Sequence, residues 1–564
     1  MPVPDTARIA LCQINPTVGD IAGNERLIAA GIEEARAAGA QIVAFGELAV
    51  TGYPPEDLLH KEHFLREARD AVERLAGQSR GIVALIGFPE RAAAVHNAVA
   101  IAADGAVAAI YRKIHLPNYG VFDERRYFVP GDRAGVIDLG GPLVGITVCE
   151  DIWVAGSPCG AIARAGACLT LNLSASPYHA GKGLERERDV VGARVRETGI
   201  AHAFCAIVGG QDELVFDGHS FVLGADGELL ARAAQFVEDM LVFDYPLSLP
   251  AAGGERHVDV LARVVLPATP SAAPCEPRVA SLLEPREAEV HAALVLGLRD
   301  YVHKNGFRRV VLGLSGGIDS ALVATLAVDA LGAEQVSVAV MPSPYSSRAT
   351  QADARALAAG LRIELFELPI EHLMAAYDGL LGPVFAGREP DIAEENLQAR
   401  IRGNLLMALS NKFGWLVLAT GNKSEMSVGY TTLYGDLAGG FAVIKDIEKT
   451  LVYALARWRN RDGSPIPDSI LERAPSAELR SGQLDADSLP PYEQLDAILR
   501  GYVEQHRGRD ELVAGGLPAG EVDRVIELVD HAEYKRRQAP PGIKITPLAF
   551  GRDRRMPITN RYHG

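Results

Sequence analysis

The chain has 564 residues, 48% hydrophobic and 23% charged, an ordinary globular composition in a chain too long for one core, so two or three domains are expected. Lys and Arg total 56 against 72 Asp and Glu, a net charge of -16, which argues against DNA, RNA or an anionic membrane as partner because phosphate binding needs clustered cations. The 6 cysteines show no C-x-x-C spacing and the 14 histidines form no H-x-x-x-H pair beside them, so neither a disulfide framework nor a structural zinc site is expected.

Met1–Asn15 lacks a charged segment followed by a long apolar run, and no stretch reaches the ~18 apolar residues of a membrane span. The expectation is a reducing, cytoplasmic location. In chain order, the first roughly 245 residues alternate short apolar runs with helical periodicity. Ile9–Ile14, Ile42–Phe45, Ile82–Gly87, Val107–Tyr111, Val144–Val148, Leu169–Leu173, Ala203–Val208 and Ser220–Leu223 read as strands. Asn24–Ala37, Glu62–Ala76 and Leu184–Glu197 read as helices. That pattern predicts a layered α/β domain with buried strands.

Pro250, Pro267, Pro270, Pro274, Pro277 and Pro285 then crowd one segment, and prolines at this density stop regular elements. A linker over 249–283 is expected, dividing a domain at 1–248 from one at 284–564. Beyond it, helix Glu287–Lys304, strand Val310–Leu314 and helix Ala321–Leu331 come first. Strand Val336–Val340, helix Thr350–Ala359, strand Ile363–Leu368, helix Glu394–Lys412 and strand Leu416–Ala419 follow. Regular alternation predicts a doubly wound parallel sheet. Ala474–Pro491 is polar and irregular and reads as a mobile loop.

Three residues of the first half each follow the C-terminal end of a predicted strand: Glu47, Lys113 and Cys149. Strand ends of that kind converge on the crevice of an open α/β sheet. A carboxylate, an ammonium and a thiol meeting there supply a base, a cation and a nucleophile. Singly, each is more often a packed or solvated residue. The flanking residues decide: Gly46-Glu47-Leu48, Tyr111-Arg112-Lys113-Ile114-His115-Leu116-Pro117 and Val148-Cys149-Glu150-Asp151-Ile152-Trp153 resemble the three motifs of the nitrilase, or carbon–nitrogen hydrolase, superfamily. Phe122–Phe128 is similar to that family's segment after the lysine. The resemblance implies an αββα sandwich and a Glu-Lys-Cys amidase. Within its glutaminase branch it implies that Tyr119, Ser176 and Lys182 hold glutamine and that Glu124 stands beside Lys113. Cys12, Cys159, Cys168, Cys205 and Cys275 match no motif and read as packing or surface residues.

In the second half, Gly313-Leu314-Ser315-Gly316-Gly317-Ile318-Asp319-Ser320 joins a strand to a helix. Glycines let backbone amides approach a polyphosphate, the helix N-terminus adds positive potential, the serines add donors and Asp319 can hold magnesium. No Gly-Lys-Ser/Thr follows, so this is not the Walker pattern. The octapeptide resembles the pyrophosphate loop of the N-type ATP pyrophosphatases, a Rossmann-like fold. Glu395–Asn404, Thr420-Gly421-Asn422-Lys423-Ser424-Glu425 and Tyr430–Asp436 resemble the NAD synthetase signature. That resemblance implies ATP contact by the 313–320 loop and Thr420, a Mg2+ site at Asp319 and Glu425, and deamido-NAD contacts by Asn396, Glu425, Tyr430, Asp436, Lys445 and Lys535. Arg536 and Arg537 stay unassigned, as do adenine contacts near Pro344, which stands where a more polar residue is expected.

The two halves in this order resemble the glutamine-dependent NAD synthetase family. The resemblance implies L-glutamine, ATP and deamido-NAD as substrates and a homodimer or larger homo-oligomer. Two other ATP-loop amide-forming enzymes fit less well. Asparagine synthetases need Cys after the initiator Met, where this chain has Pro2, and the Gly-x-Cys-x-Gly glutaminase of GMP synthetases is absent. A non-catalytic nucleotide sensor is disfavoured by the intact Glu47, Lys113 and Cys149.

Overall fold

The structure, a computed structural model, describes residues 5–250, 258–266 and 274–560. The chain divides into two compact units, Met1–Gln211 with Val215–Leu283, and Asp212–Leu214 with Glu284–Gly564.

The first unit is built on two sheets. Its strands are β1 (Thr6–Gln13), β2 (Ile42–Phe45), β3 (Val83–Arg91), β4 (Val95–Ala103), β5 (Ala106–Arg112), β6 (Gly135–Asp138), β7 (Leu143–Val148), β8 (Ala167–Ser174) and β9 (Ala201–Ala206). Then come β10 (Val208–Gln211), β11 (Leu214–Asp217), β12 (Phe221–Leu223), β13 (Leu229–Arg232), β14 (Asp239–Pro246) and β15 (Asp259–Arg263). One sheet has the order β14-β1-β2-β3-β4-β5, the other β13-β12-β9-β8-β7-β6-β15, and β10 pairs with β11 in a separate two-stranded ribbon. Alternate residues from both form one core: Ile9, Leu11, Ile42, Ala44 and Leu85 meet Val144, Ile146, Leu169, Leu171 and Ala203. The sheets therefore lie face to face, and helices cover their outer faces. Ile21–Ala37 lies so close to the first sheet that a Cβ on Gly31 would meet Phe45 at 2.7 Å. Helix residues Cys159, Val191 and Val195 pack on Phe204, Ala206 and Phe221 of the second. This is the expected αββα layering.

The eight predicted strands all form. The pattern missed β4, β6, β10, β11, β13, β14 and β15. Of these β15 corrects the expectation that 249–283 is only a linker. Val260 and Ala262 register on Val136 and Ile137 of β6, and Ala262 and Val264 join the shared core. Proline crowding hid a strand short enough to fit between the prolines. Pro267 and Pro270 lie outside the described residues. The predicted helix 184–197 forms as Lys182–Leu184, a wider π-helical turn over Glu185–Val191, and Gly192–Thr198. All six cysteines are free; Cys12, Cys159 and Cys205 are buried, and burial pushes the Cys12 and Cys159 thiols up to about 12.

The second unit holds β16 (Val310–Gly313), β17 (Val336–Val340), β18 (Glu364–Glu367), β19 (Leu416–Ala419) and β20 (Phe441–Ala442). They form one parallel sheet in the order β18-β17-β16-β19-β20. Helix Ile392–Phe413 supplies Ile401 and Leu406 to a core with Val311, Ala339 and Val417. The apolar helix Ile318–Leu331 packs with Arg286–Lys304 and Lys449–Arg459. Sequential order reverses between β16 and β19, so the loops after these two strands flank the crevice where such sheets bind ligands.

Candidate functional sites

In the first unit, Glu47 follows β2, Lys113 follows β5 and Cys149 follows β7. A Cβ on Gly46 would lie 2.4 Å from Ile207 Cγ2, so glycine is needed for the chain to turn here and deliver Glu47. Lys113 Nζ donates to Glu47 Oε1 at 2.7 Å and to Glu124 Oε1 at 2.9 Å, with all three side chains buried. Asn97 Nδ2 and the Ala175 N–H also donate to Glu47, at 2.7 and 3.0 Å, and Tyr53 OH donates to Glu124 at 2.9 Å. Burial alone would discharge the Lys113 ammonium, but the Glu124 and Glu47 carboxylates outweigh it and hold its pKa well above the ordinary value. Glu124 itself is pushed up to about 7 by burial, against the pull of Lys113.

Cys149 opens a single helical turn, Cys149–Ile152, with φ of 39°, the strained left-handed region for a residue with a side chain. The Asp151 carboxylate holds that turn in place. It accepts from Val148 N at 3.0 Å, from Ile114 N and His115 N at 3.0 and 2.8 Å, and from Tyr111 OH at 2.8 Å. One buried carboxylate thus fixes the segment after Lys113 to the turn that bears the thiol, a role the sequence did not disclose. Burial, then the Glu47 charge, pushes the Cys149 thiol well above its usual range, so it rests protonated beside a base.

Two of the three residues implied for glutamine, Tyr119 and Lys182, meet this turn. Tyr119 OH donates to both Glu150 oxygens at 3.0 Å, and the Lys182 ammonium lies 4.1 Å from the ring centre of Trp153 while donating to Glu185 at 3.1 Å. Glu150 lies in the turn and Trp153 follows it, so an exposed phenol and an ammonium are both tied to the segment that bears Cys149. Burial lowers the Lys182 pKa, against Glu185. Ser176 is buried two residues beyond β8.

In the second unit a cavity of about 310 Å³ opens at the sheet's switch point. All eight residues from Gly313 to Ser320 line it, with Thr420, Glu425, Tyr430 and Asp436. Gly316 has φ of +83°, and a Cβ there would lie 2.1 Å from Thr350 O, so the loop takes this path only with glycine. Gly316→Ala is expected to strain this loop and destabilise the second unit by on the order of 1–3 kcal/mol; thermal unfolding of the variant checks it. Lys449 Nζ bridges the two implied metal ligands, at 2.5 Å from Asp319 Oδ2 and 3.2 Å from Glu425 Oε1. Asn422 Nδ2 donates to Asp319 Oδ1 at 2.8 Å. Burial pushes Glu425 up to about 7 and Asp436 up to about 6.

Not every implied residue reaches the cavity. Asn396 accepts from Thr432 Oγ1 at 2.7 Å, behind the lining. Lys445 donates to Pro540 O at 2.8 Å, and Lys535 to Gly429 O and Thr431 O at 2.7 and 2.9 Å. Arg536 is buried on Glu533, Ser427 O and Val529 O, and Arg537 reaches Glu533 and Met556 O, so both tie the C-terminal segment together. Pro344 is exposed, and Met341, Pro342 and Ser346 line the cavity instead. The 474–491 segment is irregular, as its composition implied, but well tied: Glu478 accepts from Thr350 Oγ1 at 2.9 Å and Gln398 donates to Leu479 O at 2.8 Å.

Residues 8–252 match the carbon–nitrogen hydrolase family profile and residues 290–539 the NAD synthase profile. The chain is 47% identical to the glutamine-dependent NAD(+) synthetase of Thermotoga maritima over 98% of this chain and 99% of that one. It is 48% identical to the enzyme of the same description from Xanthomonas campestris, over 99% and 98%. The chain belongs to the glutamine-dependent NAD(+) synthetase family. It is similar in structure to the family member from Acinetobacter baumannii, solved in complex with adenosine diphosphate, at TM-score 0.75 and 38% identity over 98% of this chain and 99% of that one. The Cytophaga hutchinsonii synthetase, at 23% identity and TM-score 0.82 over 98% of each chain, shares the fold.

Within this family assignment, sequence reading missed Lys449, Asn422 and Arg473. Lys449 was hidden because it starts a later helix, Lys449–Arg459, which only the packing of the sheet brings to Asp319. Arg473 NH1 donates to Gly316 O at 3.2 Å from the irregular segment. Asn422 lay in the quoted signature and was passed over between Thr420 and Glu425. Its side chain accepts from Glu425 N at 3.0 Å while capping the helix Lys423–Val428, a signal legible as an N-cap.

Proposed function

We propose that the two units carry two half-reactions of one ligase: ammonia release from L-glutamine at Cys149, and ATP-driven amidation of deamido-NAD to NAD at the 313–320 loop. The observation that carries this division is that each unit holds its own closed set of reactive groups: the buried Glu47–Lys113–Glu124 cluster with Cys149, and the loop cavity with Asp319, Glu425 and Lys449.

In the first half-reaction Glu47 takes the thiol proton as the Cys149 sulfur attacks the side-chain amide carbon. Lys113, kept charged by its two carboxylates, offsets the oxyanion. The C–N bond breaks, ammonia leaves with the proton from Glu47, and water then hydrolyses the thioester to glutamate. Tyr119, Ser176 and Lys182 hold the amino-acid end, Lys182 facing the α-carboxylate.

In the second, an oxygen of the nicotinate carboxylate attacks the α-phosphorus of ATP, and pyrophosphate departs into the amides and hydroxyls of Ser315–Ser320. Ammonia then displaces AMP from the acyl adenylate. Glu425, Tyr430 and Asp436 meet deamido-NAD from the cavity wall. Asn396, Lys445 and Lys535 act from behind it, holding Thr432, Pro540 and the Gly429–Thr431 turn. Asp319 and Glu425 suit a magnesium ion, which takes one or two carboxylates and completes its shell with phosphate oxygens. When bound, it offsets charge on the leaving pyrophosphate. Lys449, bonded to both carboxylates, offsets their mutual repulsion and aligns them.

A cytoplasmic homo-oligomer fits the exposed apolar side chains Leu373, Tyr377, Leu380 and Ile392 on the adjoining helices Glu371–Leu381 and Ile392–Phe413. Among the described residues no helix is long and apolar enough to cross a membrane.

Supplying ATP, glutamine and deamido-NAD should yield NAD, AMP, pyrophosphate and glutamate; glutamate without NAD would overturn the reading. Because ammonium lacks the lone pair that attacks the adenylate, direct passage of neutral ammonia is part of the proposal. ATP plus deamido-NAD is expected to raise glutamate release, since ligands shift a coupled site only through differential affinity for its states. Equal glutamate rates with and without them exclude coupling. Full dilution of the NAD amide nitrogen by labelled external ammonium excludes passage within the protein.

A further inference from the structure

We propose that Ser174 is a further catalytic residue of the glutamine site, its hydroxyl donating a hydrogen bond to the Cys149 sulfur as the thiolate forms; this rests on Cys149 being the nucleophile. Strand β8 runs parallel to β7 with Leu173 opposite Val148, so Ser174 stands one position on, beside Cys149. Its neighbours grip the same centre. Asn172 Nδ2 donates to Cys149 O at 3.5 Å and to Thr147 Oγ1 at 3.0 Å, and the Ala175 N–H donates to Glu47 Oε2 at 3.0 Å. The end of β8 therefore holds the backbone of the nucleophile on one side and the base on the other, with Ser174 between them.

Ser174 is wholly buried, and its carbonyl accepts from Ile207 N at 3.1 Å. Its hydroxyl has no hydrogen-bond partner among the described residues. A buried hydroxyl without a strong acceptor destabilises a fold, and such groups persist where a reaction uses them. The charged and titratable groups facing the thiol are Glu47, Lys113, Glu150, Tyr53 and Tyr119. Burial and the two carboxylates disfavour a thiolate. Lys113 favours it, but that ammonium already serves Glu47 and Glu124. A neutral donor adds stabilisation at sulfur without adding charge to the cluster.

In the step, the thiol proton passes to Glu47 and the sulfur lone pair forms the C–S bond. Ser174 keeps its own proton and donates to sulfur until that bond is made.

The test uses the full chain with three substitutions. Ser174→Ala removes one oxygen from a buried site. It is expected to lower kcat for glutamate release about 10- to 100-fold with KM within about twofold, the size of a hydrogen bond to a charged group. Iodoacetamide should alkylate Cys149 more slowly by a similar factor, while the melting temperature stays level or rises. Thr170→Val, another buried unpartnered hydroxyl of β8 further from the thiol, should leave these rates at wild type. Wild-type kcat and alkylation in Ser174→Ala would overturn the proposal. So would a raised KM at unchanged kcat, which marks a substrate contact, or equal rate losses in both β8 variants, which mark packing. Glutamate release surviving in Cys149→Ala would instead overturn the assignment of the nucleophile, so the two failures are distinguishable.

Discussion

Cys149→Ala is expected to eliminate glutamine-driven NAD formation, by at least ~10³-fold, and to leave ammonia-driven formation close to wild type. The size follows from loss of the one thiol that the described residues bring to the Glu47–Lys113–Glu124 cluster; removing a covalent nucleophile costs several powers of ten because base and oxyanion groups then have nothing to act with. The selectivity follows from the separate cavity in the second unit, whose lining residues all lie between Gly313 and Asp485. Cys149 is buried at 3% exposure, and alanine removes one atom from that site, so folding should survive. NAD measured with glutamine and then with ammonium chloride, at saturating ATP and deamido-NAD, gives the result. Loss of both activities in a folded variant would refute the division of labour.

Asp319→Ala is expected to suppress both nitrogen sources, by at least ~100-fold, while glutamate release from Cys149 continues. Asp319 has two tasks in the described structure. It accepts from Asn422 at 2.8 Å and from Lys449 at 2.5 Å, and it stands at the start of the helix that follows the pyrophosphate loop. At the proposed magnesium site its loss removes a hard oxygen donor, and it leaves the buried Lys449 with Glu425 as its remaining hydrogen-bonded carboxylate. Asp319→Asn separates the two tasks. It keeps the volume and a hydrogen-bonding oxygen but not the charge, and its activity should recover in part at high magnesium if the metal contact dominates. AMP and pyrophosphate release, followed over a magnesium titration, measures this. Near-wild-type ammonia-driven rates at low magnesium would remove Asp319 from the site.

Resemblance to the nitrilase superfamily implied the αββα order; the sequence patterns by themselves determined a layered α/β first unit, the parallel sheet, the glycine-rich turn at 313–320 and the placing of Glu47, Lys113 and Cys149 at strand ends. All of these rest on local signals: period-two and period-3.6 apolar patterning, turn glycines, and short motifs at strand ends. The strands it missed, such as β4 and β15, are an alanine-rich run and a short run between prolines, where pairing partners rather than intrinsic preference decide. Only the tertiary structure could decide which side chains from distant segments share a site. Asp151 joins the Lys113 and Cys149 segments, the β7–β8 register sets Ser174 beside Cys149, and Lys449 meets Asp319 across 130 positions of sequence. It also resolved the basic run at Lys535–Arg537 into ties to Gly429, Ser427 and Met556 carbonyls. The physical reason is that a charged side chain shows its type in the sequence. Its partner is chosen by burial, because once water is excluded each ammonium and hydroxyl must bond to whatever the packed chain brings within about 3 Å.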